Sequence, residues 1–108
     1  MINVVITYCQ KNNKKVIASL EMKGHANSAP YGEDLVCSAA SAIVIGGINA
    51  INDDVPFTYK VDEGYVLIKG KPEEISQNDV IVLETIVKQL KTLEKDYAKF
   101  IKIEERNE

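Results

Sequence analysis

Gly24-His25-Ala26-Asn27-Ser28-Ala29-Pro30-Tyr31-Gly32-Glu33-Asp34-Leu35-Val36-Cys37-Ser38-Ala39-Ala40-Ser41-Ala42 is the stretch on which the reading of the fold turns. It marks a change of period. Upstream, Val16 to Lys23 alternates, with Val16, Ala18, Leu20 and Met22 on one face and Ser19, Glu21 and Lys23 on the other. That is the pattern of a strand in a half-buried antiparallel sheet. Downstream, Leu35 to Ile51 is apolar for most of its length, too long for an ordinary strand. Between them, Gly24 to Gly32 carries Pro, Asn, Ser and two glycines and reads as a loop. Asp34 has the residue type of an N-cap, so a helix is predicted from Leu35 to Ile51.

Working outward, Ile2 to Tyr8 is rich in β-branched residues and predicts a first strand, joined to the second by a turn at Lys11-Asn12-Asn13-Lys14. Gly46-Gly47 weakens the first helix, and reads as close packing or a subunit contact, with a helix break as the alternative. Asn52-Asp53-Asp54 followed by Pro56 ends that helix. Phe57 to Val61 and Tyr65 to Lys69 flank Asp62-Glu63-Gly64, a β-hairpin signal. Gly70-Lys71-Pro72 breaks the chain. A second helix is predicted from Gln77 to Lys99 with Ser76 as N-cap. Its core stripe is Val80, Leu83, Val87, Leu90 and Tyr97, widened by Ile86 and Leu93. Phe100 to Ile103 predicts a last short strand, and Glu104 to Glu108 a frayed end. The fold class that follows is α+β: one domain over residues 1–108, with a mainly antiparallel sheet packed by two helices in the order β-β-α-β-β-α and that last strand.

The composition narrows the function classes. The chain has 108 residues, 45% of them hydrophobic, and a formal net charge of −3. A nucleic-acid-binding face needs a basic excess, and none exists, so direct nucleic-acid binding is not expected. The start Met1-Ile2-Asn3-Val4-Val5-Ile6 lacks the basic residues of a signal peptide and is too short an apolar run for a bilayer. No membrane partner is expected. With Cys9 and Cys37 as the only cysteines, the expected compartment is a reducing cytoplasm, without a disulfide. Two cysteines and one histidine lack CxxC or HxxxC spacing, so no metal site and no cofactor is expected.

The chemistry-bearing residues sit in the opening stretch. His25 is the only histidine. Cys37 falls in the first turn of the predicted helix, where free N–H groups and the helix dipole favour a thiolate. A thiol there has a lowered pKa, and an imidazole beside it can accept and return its proton. The plainer reading remains open on these residues alone: a cysteine among alanines is often core, and a histidine after a glycine is often a strand-end residue. In the catalytic reading, Cys37 is the nucleophile and His25 the general base and later acid. N–H groups at the helix start, that of Cys37 included, hold the oxyanion. Asp34 caps the helix or, alternatively, orients His25. Ser41 lies one turn beyond Cys37 on the same face and either lines the site or packs in the helix. Cys9 reads as a strand-end residue with no special role.

The string Gly-His-Ala, a Gly/Pro/Tyr loop, then Gly-Glu-Asp-Leu-Val-Cys-Ser-Ala-Ala-Ser resembles the bacterial ribosomal-processing cysteine protease family, Prp. The match falls on Gly24, His25, Ala26, Gly32, Asp34, Leu35, Val36, Cys37, Ala39 and Ser41. Ser38 departs from the alanine usual in the family, a change a helix tolerates. The resemblance extends to chain length and element order. It implies a cysteine endopeptidase with a Cys37/His25 dyad. Its substrate would be the N-terminally extended form of large-subunit ribosomal protein number twenty-seven, cut after an aromatic residue. It also implies a homodimer. Tyr31 and the apolar residues near it are candidates for the substrate pocket. Two other functions fit the same residues: a non-enzymatic ribosome-associated module that binds protein through its sheet edge, and a redox sensor built on Cys37 alone.

Overall fold

The computed structural model describes residues 1–30 and 34–108. The elements run β1 (Ile2–Lys11), β2 (Lys14–Lys23), α1 (Leu35–Ala50), β3 (Phe57–Asp62), β4 (Tyr65–Gly70), a 3-10 turn at Pro72–Glu74, α2 (Gln77–Asp96) and β5 (Ile101–Asn107). They build a five-stranded sheet in the order β3-β4-β2-β1-β5. The pairings β1–β2, β2–β4 and β3–β4 are antiparallel, while β1 and β5 run parallel with Ile2 opposite Ile101. The sheet is therefore mixed, mainly antiparallel, and the domain is α+β as expected.

The core forms where the sheet's apolar face meets both helices. Ile2, Val4 and Ile6 from β1, Leu20 and Met22 from β2, and Val66 and Ile68 from β4 supply one side. Val36, Ala40 and Val44 from α1 and Leu83, Ile86, Val87 and Leu90 from α2 supply the other. Gly46 and Gly47 leave α1 unbroken, and the two part company. A β-carbon on Gly47 would stand 2.2 Å from Ile86 Cδ1, so this glycine lets the helices approach closely. A β-carbon on Gly46 would meet nothing within 4 Å. No helix of the described residues is long and apolar enough to cross a membrane.

Several boundaries differ from expectation, each for a physical reason. The pairing of β1 with β2 shifts between Thr7 and Tyr8, so that Thr7 faces Ser19 but Tyr8 faces Ile17. Ala18 is the extra residue of a β-bulge, and beyond it the alternation changes phase. Ile17, not Val16, is buried as a result. The turn between these strands is Asn12-Asn13, both at positive φ (52° and 65°), as a two-residue hairpin turn requires. Helix α1 stops at Ala50, with Ile51 as its cap.

Helix α2 stops at Asp96 rather than Lys99, because the chain must turn back to bring β5 beside β1. Tyr97 breaks the helix, accepts hydrogen bonds from the Phe100 and Ile101 N–H groups, and is 44% exposed rather than part of the core stripe. The last strand is not short. It continues through Glu104 to Asn107, where a frayed end was expected, since its backbone pairs with β1. The Ile103 N–H donates to Glu94 Oε2 at 2.6 Å, and Lys91 ion-pairs with Glu105.

Asp79 was not anticipated. It is fully buried in the first turn of α2, and its two oxygens accept the Asn52 and Asp53 N–H groups at 2.8 and 3.1 Å. A carboxylate here ties the exit of α1 to the entry of α2. It supplies acceptors to two backbone donors just beyond the end of α1.

Candidate active site

Three pieces of chain converge at one end of the sheet: the end of β2, the start of α1, and the β3–β4 turn. Each is fixed by local chemistry. At the end of β2, Gly24 adopts a φ of +99°, and a β-carbon there would come within 2.4 Å of the Met1 carbonyl oxygen. Only glycine fits. The Gly24 N–H donates to the Gly64 carbonyl at 2.9 Å, which ties β2 to the turn between β3 and β4. His25 follows directly and is exposed.

At the start of α1, Asp34 caps the helix, accepting the Val36 and Cys37 N–H groups on Oδ1 at 3.1 and 3.0 Å. The same carboxylate accepts the Ser28 hydroxyl on Oδ1 and the Ser28 N–H on Oδ2. Hydrogen bonds from the Ser28 hydroxyl, the Cys37 N–H and the Ser28 N–H hold its pKa well below the usual carboxylate range. Asp34 is thus the cap and also pins the His25 loop to the helix. Among the described residues none of its hydrogen bonds goes to the His25 ring.

Cys37 sits on the third residue of α1, partly buried. Its Sγ accepts a hydrogen bond from the buried Ala26 N–H at 3.1 Å. From the sequence, the Cys37 N–H was expected to help hold the oxyanion. The Cys37 N–H is committed to the Asp34 carboxylate, so it is not a spare donor for an oxyanion.

Two adjoining clefts, of about 290 and 570 Å³, share His25, Cys37, Ser41 and Glu63 in their walls. The smaller is walled by apolar side chains, among them Ile2, Met22, Ile45, Val61 and Val66. The larger adds the polar side chains of Asn27, Asp34 and Ser38. Ser41 therefore faces the clefts rather than the core. His25 and Cys37 border the same space, although among the described residues no hydrogen bond joins them directly. Tyr31 and Gly32, named from the sequence, lie outside the described residues. Among the described residues no three His, Cys, Asp or Glu side chains gather as a metal shell.

Cys9 lies within β1, opposite Val16. Burial, with the nearby charges of Glu108 and Glu73, pushes its thiol pKa up, the wrong direction for a nucleophile. The residues that sequence reasoning missed are Ser28, Glu63 and Gly64. Asp62-Glu63-Gly64 was visible as a turn, but nothing local in sequence ties that turn to His25.

The family described as cysteine protease Prp matches residues 1–102. The ribosomal processing cysteine protease Prp of Bacillus subtilis (strain 168) is 31% identical over 101 residues, covering 87% of this chain and 90% of its own. The protein of the same name from Staphylococcus aureus (strain Mu50) is 31% identical over 107 residues, covering 95% and 97%. A crystal structure of the ribosomal processing protease Prp from S. aureus, in complex with a covalently linked product peptide, superposes with a TM-score of 0.85. It is 29% identical and covers 97% of this chain and 99% of that one.

Proposed function

This chain belongs to the Prp family of cysteine proteases, and from that premise we propose that it trims the N-terminal extension of large-subunit ribosomal protein number twenty-seven with a Cys37/His25 dyad. The observation that carries the reading is the junction of β2 with α1. There the chain's only histidine and a helix-start cysteine border one cleft, and a backbone N–H is aimed at the sulfur. The names of the relatives support ribosomal processing, and the covalently linked product peptide in the S. aureus structure suits a mechanism with a covalent step.

The chemistry follows from the residues. His25 takes the proton from Cys37, and Sγ attacks the scissile carbonyl. The tetrahedral intermediate collapses to a thioester, and the imidazolium gives its proton to the leaving amine. Water, deprotonated by the same imidazole, then hydrolyses the thioester and frees the enzyme. The apolar cleft supports an aromatic residue before the cut, since burying such a ring removes ~150–250 Å² from water. The enzyme works in the cytoplasm, where its substrate is made, and its reducing environment keeps both cysteines free.

The test is incubation of the protein with the N-terminally extended ribosomal protein, read as a shortened product by intact mass. Cys37→Ser should abolish the product while leaving the amide spectrum folded. Cys9→Ser should cleave as the parent does. Undiminished cleavage by Cys37→Ser would refute the reading.

A further inference from the structure

We propose that Gly64, in the turn between β3 and β4, is a positioning residue for the reaction: its bare α-carbon sets where the His25 imidazole sits in the cleft it shares with Cys37. The inference rests on the reading of His25 as the base and adds what holds that base in place.

The contact is close. A β-carbon on Gly64 would stand 2.9 Å from His25 Nε2, 3.3 Å from Cε1 and 3.6 Å from Cδ2. The ring edge bearing Nε2 therefore lies against the turn, in room that exists only because residue 64 has no side chain. The turn cannot drift away from the ring. The Gly64 carbonyl accepts the Gly24 N–H, so the turn is fastened to the residue before His25. Gly24 in turn is pressed against the Met1 carbonyl on its other side. His25 is otherwise exposed, and among the described residues no hydrogen bond orients its ring. Contact with the turn is what limits the positions the imidazole can take.

Gly64 also has a φ of +68°, which by itself would call for glycine. The experiment separates these two demands. Asparagine is at home in the left-handed region, alanine much less so, yet both carry a β-carbon. Gly64→Asn relieves the backbone demand and keeps the collision with the imidazole. Gly64→Ala keeps both. The measurements are kcat and KM for the extended ribosomal protein, the melting temperature, and the pH titration of the His25 Cε1 proton. With a single histidine in the chain, that resonance is unambiguous.

Positioning predicts that Gly64→Asn melts close to the parent but loses about tenfold or more in kcat, with KM little changed, because sub-ångström to ångström misplacement is costly. Its His25 resonance should move and its pH–rate profile should shift. Gly64→Ala should share the kcat loss and also melt lower. Parental kcat and an unmoved His25 resonance in Gly64→Asn would overturn the proposal. His25→Ala is measured alongside. If it cleaves at the parental rate, both the base reading and this proposal fall. If it is inactive while Gly64→Asn is not impaired, only the positioning role falls.

Discussion

At the scale of single residues, the two cysteines separate clearly by environment. Cys37 stands at a helix start and receives the Ala26 N–H. Cys9 sits in a strand, its thiol held protonated by burial and by the nearby Glu108 and Glu73 carboxylates. Alkylation near pH 7 should therefore label Cys37 first, and Cys9 should catch up only as the pH climbs past the ordinary thiol range. Peptide mapping after brief iodoacetamide treatment checks this, and preferential labelling of Cys9 at pH 7 would contradict it. Asp34 shows how far a residue can be read from sequence. Its capping role was legible from its type and place, and the cap it forms is the expected one. Its bonds to Ser28 were not legible, because a loop serine carries no periodic signal. Gly24 was legible only as part of a motif, and its physical reason, the Met1 carbonyl, is a contact across the sheet.

At the scale of elements, local pattern served well wherever the backbone was regular and failed where tertiary contacts bent it. The two helices and the β3–β4 hairpin follow from period and caps. The bulge at Ala18 does not, since it depends on the register against β1. The length of β5 was hidden for a related reason: a parallel partner distant in sequence gives a charged strand its backbone pairing. Buried Asp79 runs against its residue type and is explained only by the two N–H groups it serves. The glycine pair in α1 offers a sharp element-level test. A β-carbon on Gly46 meets nothing within 4 Å in the single chain, so Gly46→Ala should stabilise the monomer fold by about 0.5–1 kcal/mol through helix propensity. Gly47→Ala must push Ile86 aside and should cost about 1–3 kcal/mol. Chemical denaturation of both variants measures the difference. Equal effects of the same sign would show that the helix contact at Gly47 is misjudged.

At the scale of the whole molecule, the fold class followed from the order of elements along the chain, and the stretch from Gly24 to Ala42 placed His25 at a strand end and Cys37 at a helix start. The convergence of a third element, the β3–β4 turn, did not follow from that stretch. The homodimer that the family resemblance implies would need an exposed apolar surface. Ala42, Ile43, Gly46 and Ala50 of α1 join Ile81 and Val82 of α2 in an apolar groove, and Ile81 is 53% exposed. A second copy over this groove would bury it. Light scattering should find a dimer for the parent and a monomer for Ile81→Lys; dimers of unchanged strength in the variant would move the interface elsewhere. The central claim is that one cysteine and one histidine act as a unit on the extended ribosomal protein. The most direct measurement is the cleavage rate of His25→Ala beside Cys37→Ser and the double variant. Loss of a general base costs about 10²–10⁴-fold, so His25→Ala should fall at least about a hundredfold. The double variant should be hardly worse than either single one, as expected of residues that act together. Cleavage by His25→Ala at close to the parental rate would contradict the account.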